Sequence, residues 1–160
     1  MTEAKLTGGC RCGAIRYDHK IPGRPCVCHC RMCQKASGNI FGTFAGVESQ
    51  YFELTRGELS YFQSSDKGDR CFCNKCGTPL AWRDRVDPWI SVTIGSLNDP
   101  AAVRPVRFYG EEGRISWAAE VVAHPGTTSE LDASGVTGWP LDDIRTSNRQ
   151  HPDHDTQRWS

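Results

Sequence analysis

Nineteen basic and nineteen acidic side chains balance over 160 residues, so the chain has no net charge and no overall pull toward nucleic acid or an anionic membrane surface. The length suits one domain with a core of its own. Nine cysteines, sixteen glycines and low mean hydropathy exclude a helical bundle and favour a loop-rich, mainly β protein.

The elements expected in chain order are short. Gly8, Gly9 and Gly13 bracket a turn containing Cys10 and Cys12, and residues 14–17 follow as a strand. A proline- and glycine-marked loop at 22–25 leads into the densest stretch, residues 26–33, with Cys26, Cys28, His29, Cys30 and Cys33. Residues 34–37 extend this into a helical turn that stops at Gly38 and Asn39, and 40–45 reads as a strand. Residues 51–55 and 59–63 read as a hairpin turning through 56–58. A polar loop, 64–69, then leads to a third cysteine group, Cys71, Cys73 and Cys76. Residues 80–83 and 89–94 are two more strands around Asp87 and Pro88, 95–100 is a turn, and 115–117 is an apolar anchor expected to pack on the core. Beyond 125 the composition turns polar, with Leu131, Val136, Trp139, Leu141, Ile144 and Trp159 as anchors and 136–145 as a short docked segment. Residues 151–155, with His151 and His154, read as a solvated loop able to bind metal only adventitiously.

Residues 1–7 lack the apolar core of a signal peptide, and no apolar run approaches the roughly 20 residues that span a bilayer. A cytoplasmic location is expected, where clustered thiols mean metal more often than disulfides. Cys73 and Cys76 leave one side of a Cys-x-x-Cys-Gly turn, in which Gly77 can take positive φ. Cys10 and Cys12 share a face of an extended segment. Together they form a closed four-thiolate set, which is the pattern of a structural zinc.

Cys28, Cys30 and Cys33 remain, and three ligands leave one tetrahedral position open, as in catalytic zinc sites. Cys26 continues the same alternation and would close that set as a fourth ligand. Against this, it follows Pro25, and three successive ligands from one extended strand converge poorly on one ion. Cys71 is surplus and reads as a buried or free thiol. His29 alternates away from its neighbours and reads as a supporting or surface group. Arg31, Lys35, Lys67 and Arg70 lie close to the cysteine groups in sequence; each reads as an ordinary surface charge, as a group balancing thiolate charge, or as a candidate to meet an anionic substrate.

The runs Gly9-Cys10-Arg11-Cys12-Gly13-Ala14-Ile15-Arg16-Tyr17, Cys28-His29-Cys30-Arg31-Met32-Cys33 and Cys73-Asn74-Lys75-Cys76-Gly77 resemble the glutathione-dependent formaldehyde-activating enzyme family, also called centromere-protein-V-like. Gly57 with Leu59, the Ser64-Ser65 pair, Arg70 and residues 95–100 support the resemblance, which runs from about residue 8 to residue 117. It implies an Mss4-like β-tent of small antiparallel sheets; residues 1–125 are expected to form this zinc-binding β domain, and residues 126–160, outside the resemblance, an irregular polar extension that is partly docked or flexible. It also implies a structural zinc on Cys10, Cys12, Cys73 and Cys76 and a second zinc on Cys28, Cys30 and Cys33. The implied activity joins formaldehyde to glutathione as S-hydroxymethylglutathione, a carbon–sulfur lyase reaction run backwards. The family often has histidine where this chain has Phe108. Two other readings fit the same scaffold. One is a non-catalytic, chaperone-like binding module, without nucleic acid as partner because no basic run exists. The other is a zinc store or sensor.

Overall fold

The computed structural model describes residues 5–20, 23–126, 128 and 140–158. Its strands are β1 (Lys5–Gly9), β2 (Arg16–Lys20), β3 (Cys26–Cys28), β4 (Gly42–Glu48), β5 (Phe52–Arg56), β6 (Ser60–Ser65), β7 (Gly68–Phe72), β8 (Pro79–Asp84), β9 (Trp89–Thr93) and β10 (Arg107–Tyr109). Three short helices accompany them: α1 (Arg31–Ser37), α2 (Ala118–Ala123) and α3 (Leu141–Thr146). The strands form a three-stranded sheet, β1-β2-β5, and a seven-stranded sheet in the order β10-β3-β4-β9-β8-β7-β6. The fold is mainly β, as expected. Its pairings are antiparallel except at one edge, where β10 runs parallel to β3.

One apolar cluster joins the two sheets. Ile15 and Tyr17 meet Ala45 and Val47 of β4, Leu80 and Ala81 of β8, and Ile90 and Val92 of β9. In β9 the buried positions alternate strictly, the period-two pattern of a strand with one face in the core. The Tyr17 hydroxyl crosses to Ser96 Oγ at 2.6 Å, so the buried phenol keeps a hydrogen-bond partner. Gly8 lies under that phenol, where a Cβ would come within 2.6 Å of the Tyr17 oxygen.

The hairpin expected over 51–63 does not form. β5 closes the small sheet against β2, whereas β6 lies at the far edge of the large sheet against β7. Gly57 redirects the chain between them at φ +69°, pressed so close to the Ala14 carbonyl that no Cβ fits. Local alternation made both segments strands; this close approach chose their partners. Residues 115–117 also differ from expectation. Trp117 is 46% exposed, and the adjoining Ala118 is the residue that is buried.

The end of the chain returns to the first cysteine turn. His151 N donates to Arg11 O at 2.7 Å. The Asp155 carboxylate accepts from Arg16 Nε and Nη2 at 3.1 and 2.8 Å, and Arg56 donates to the Thr156 carbonyl while also holding the Gly13 carbonyl. Residues 151–156 are therefore tethered to the body of the fold, while 152–155 remain exposed as a solvated loop would be. The Arg16 side chain is only 5% exposed, and a buried guanidinium requires a paired carboxylate. Among the expected anchors, Leu131, Val136, Trp139 and Trp159 lie outside the described residues, as does the 136–139 part of the expected docked segment. Its remainder is Pro140 and the start of α3, where Ile144 is 44% exposed.

Candidate metal centres

Two turns of the same construction bring the first four sulfurs together. After β1, Cys10 N bonds Ile15 O at 3.0 Å and Gly13 N returns to Cys10 O at 3.0 Å. After β7, Cys73 N bonds Thr78 O at 3.0 Å and Gly77 N returns to Cys73 O at 2.8 Å. Gly13 and Gly77 both leave their turns at positive φ, 79° and 75°. Thr78 ties one turn to the other: its hydroxyl accepts from Arg11 N at 3.0 Å and contacts Cys76 Sγ at 3.1 Å.

The sulfurs of Cys10, Cys12, Cys73 and Cys76 all lie within 4.8 Å of one another, with Cys10–Cys12 at 3.6 Å and Cys12–Cys73 at 3.9 Å. Zinc–sulfur bonds of about 2.3 Å in a tetrahedron set sulfurs about 3.8 Å apart, so the donors fit zinc. Their proton affinities are split. Burial pushes Cys10 up to about 12 and also raises Cys12. Burial works the same way on Cys76, but the Thr78 hydroxyl and backbone N–H and contacts from Cys12 outweigh it and bring that thiol down to about 6. Thiols this crowded cannot all ionise unless a cation sits among them.

Cys28, Cys30 and Cys33 form the second set, again with sulfurs within 4.8 Å of one another. Cys28 ends β3, Cys30 precedes the first turn of α1, and Cys33 points inward from that turn, with Cys28 Sγ 3.4 Å from Cys30 Sγ. Burial lifts Cys28 to about 12. Cys30 also feels burial, yet the backbone N–H groups of Cys33 and Met32 and the Cys28 and Cys33 thiols together lower it. This set fits a soft divalent cation with three protein ligands. Cys26 lines the same cleft but stands outside the set, its thiol raised to about 11 by burial and then by Cys33. Cys71 is buried in the sheet, and all nine cysteines are free thiols.

The second set opens on a cleft of about 540 Å³. Lys67 and Arg70 line it, and Arg70 Nη2 reaches Cys33 Sγ at 3.4 Å, so this arginine offsets sulfur charge. Arg31 and Lys35, the other two candidate cations, line a neighbouring cleft and not this one. His29 is buried. Its ring lies edge-on to Phe41 with centroids 5.6 Å apart, and Nε2 is 3.9 Å from Glu111, so it supports the loop that carries Cys30.

Gln34 reinforces that loop by donating to the His29 carbonyl at 2.9 Å and the Gly113 carbonyl at 3.0 Å. Gly110 packs on Cys30, where a Cβ would lie 2.5 Å from the backbone nitrogen. Sequence reasoning missed these supports and also Trp82, Ser91 and Tyr109 of the cleft. Tyr109 reaches it because β10 pairs in parallel with β3, setting Tyr109 beside Cys28 and Phe108 beside Val27. Successive side chains of a strand face opposite ways, so Phe108, 56% exposed, points to the other face of the sheet. Nothing in three residues far along the chain announces that pairing. The Thr78 contact had a visible cue, since it directly follows Cys76-Gly77.

A curated protein of Halomonas elongata named "Putative glutathione-dependent formaldehyde-activating enzyme" is 27% identical over 113 residues, covering 59% of this chain and 69% of that protein. A crystal structure of a Rhodobacter sphaeroides protein superposes with a TM-score of 0.53 at 21% identity, over 64% of this chain and 98% of the other, a likeness of fold. The sequence profile of the glutathione-dependent formaldehyde-activating enzymes matches residues 5–111, which contain both sulfur sets, the cleft and every strand of the two sheets, and the chain belongs to that family.

Proposed function

We propose that this chain is a zinc-dependent, carbon–sulfur lyase-type enzyme that forms or cleaves the adduct of glutathione and formaldehyde. One observation carries the reading: three convergent sulfurs, with Cys26 outside the set, border a cleft that also presents two cations. Cys10, Cys12, Cys73 and Cys76 would hold a structural zinc, and Cys28, Cys30 and Cys33 a second. Bound there, the second ion would favour the thiolate of an incoming thiol and orient its sulfur.

The chain's own residues do the rest. Arg70 counters the negative charge gathered on Cys33. Lys67, Ser64, Ser65 and Ser91 offer a cation and hydroxyls to the carboxylates and amides of the peptide. Phe44 and Trp82 supply apolar walls beside the sulfur. Tyr109, which lines the cleft beside Cys28, would hydrogen-bond the aldehyde oxygen. In the forward direction a carbon–sulfur bond forms and the thiol proton ends on the former carbonyl oxygen. No electrons are lost or gained. Nine free thiols suit a reducing, cytoplasmic setting, and among the described residues no helix is long and apolar enough to cross a membrane.

Zinc stoichiometry, and the rate of adduct formation corrected for the spontaneous condensation, test the proposal on three proteins. The wild type should hold two zincs and exceed the spontaneous rate. Cys30→Ser should hold one and lose the excess, and Cys26→Ser should keep both. Two firmly held zincs without any excess rate would refute the enzymatic reading.

A further inference from the structure

The cleft beside Cys28, Cys30 and Cys33 continues into a second, larger one of about 700 Å³, the two sharing Met32, Phe44, Ser64 and Arg70. Their linings differ. The first contains Cys28, Cys30 and Cys33; the second lacks those sulfurs and, like the first, carries polar groups, among them Ser37 and Thr93. The second runs over the buried Phe44 and Ala81 to Phe72 and Pro79, with Phe62 at its mouth. Arg31 and Lys35 line it from α1, where their aliphatic stems extend an apolar wall while the charges stay in water.

A formaldehyde adduct adds one carbon to sulfur and gives this second cleft nothing to hold. The first cleft alone lies within the range of pockets that enclose a drug-sized ligand, so the peptide does not need both. Phe62 and Met32 are 64% and 62% exposed. Two large apolar side chains held in water at the rim of a concavity gain free energy when hydrocarbon covers them.

Resting on the proposed thiol–aldehyde chemistry, we infer that the second cleft takes the hydrocarbon chain of a longer apolar aldehyde carried on the same thiol. The adduct is then an S-(1-hydroxyalkyl) hemithioacetal rather than only the hydroxymethyl one. The step balances as before. Carbonyl carbon bonds to sulfur, the thiol proton passes to the carbonyl oxygen, and no oxidant, reductant or further reactant is needed. Arg70 marks the boundary, with its guanidinium on Cys33 Sγ and its carbon 6.0 Å from the centre of the Phe44 ring.

Calorimetric titration of the zinc-loaded protein with S-methylglutathione and S-hexylglutathione, two stable thioethers, tests the inference without relying on turnover. The hexyl compound should bind at least about tenfold more tightly, a gain that burying roughly two methylenes supplies. Ala36, exposed on α1, lines only the second cleft. Ala36→Trp should abolish the hexyl advantage while leaving S-methylglutathione binding and the formaldehyde-dependent rate as in the wild type. Equal affinities in the wild type, or a hexyl advantage that survives Ala36→Trp, would overturn the inference. With S-methylglutathione bound and the formaldehyde rate intact, either result strikes only the longer aldehyde. Failure of both thioethers to bind, together with no excess formaldehyde rate, would remove the underlying reading as well.

Discussion

Arg70→Gln removes one positive charge from beside the second sulfur set and leaves a polar side chain in its place. The guanidinium nitrogen lies 3.4 Å from Cys33 Sγ. At that distance a cation and a thiolate attract by about 5 kcal/mol at an effective dielectric of 20, and by about 1 kcal/mol in bulk water. Arg70 is only half-buried, so the weaker end of the range governs. A loss of about 2 kcal/mol corresponds to roughly thirtyfold weaker zinc binding at Cys28, Cys30 and Cys33. Arg70 makes no hydrogen bond to the first set, so affinity at Cys10, Cys12, Cys73 and Cys76 should not change. Competition with a chromophoric chelator resolves the two sites, and circular dichroism confirms that the fold is retained. Arg70→Lys keeps the charge and should recover part of the loss. Unchanged second-site affinity in Arg70→Gln would refute the role given to this arginine.

Two further predictions concern parts of the fold away from the cleft. His19 is fully buried on β2, its Nδ1 2.6 Å from the Lys20 carbonyl and its Nε2 without a partner among the described residues, and burial lowers its pKa. As pH falls below about 6.5 the unfolded chain takes up a proton that the folded chain refuses, so acidification between pH 7 and 5 destabilises the fold through this group. His19→Gln should flatten that loss in urea unfolding under saturating zinc, relative to wild type in the same buffers. Asp155→Asn should cost about 1–2 kcal/mol, because the buried Arg16 keeps an oxygen partner but loses the opposing charge. The same urea titration at neutral pH measures it, and an unchanged midpoint would show that this ion pair adds nothing to stability.

The sulfur sets were legible from spacing because converging thiols on one point imposes local rules. Two cysteines on one side of a tight turn need a glycine to exit it, and Gly13 and Gly77 both stand at positive φ where such turns require them. The helical stop after residue 37 was equally local, a left-handed Gly38 whose N–H caps the Gln34 carbonyl. What failed was choice of partner. Residues 51–55 and 59–63 read as neighbours because only three residues separate them, yet a close packing of Gly57 on Ala14, forty-three positions earlier, sends the two strands to different sheets. The tail read as solvated because its own composition is polar. Its tethering depends on Arg16 and Arg56, whose burial is set by strands on the other side of the chain's length.

The same distinction separates the geometry of the two sulfur sets, alike in chemistry. The first takes two cysteines from each of two separate turns, and four donors approaching from two sides close around one point. The second draws all three donors from residues 28–33, a single passage from strand to helix. One passage of chain can cover only one side of an ion, and a fourth donor would have to come from elsewhere. Cys26 is the nearest in sequence, but it precedes Cys28 on a strand held straight by β4 on one side and β10 on the other. Bending that strand to bring Cys26 onto the set would break ladder hydrogen bonds on both edges, each worth about 1 kcal/mol and more if a buried group is left unpaired. The uncovered side therefore faces the cleft, where Arg70, Lys67 and Tyr109 stand around it.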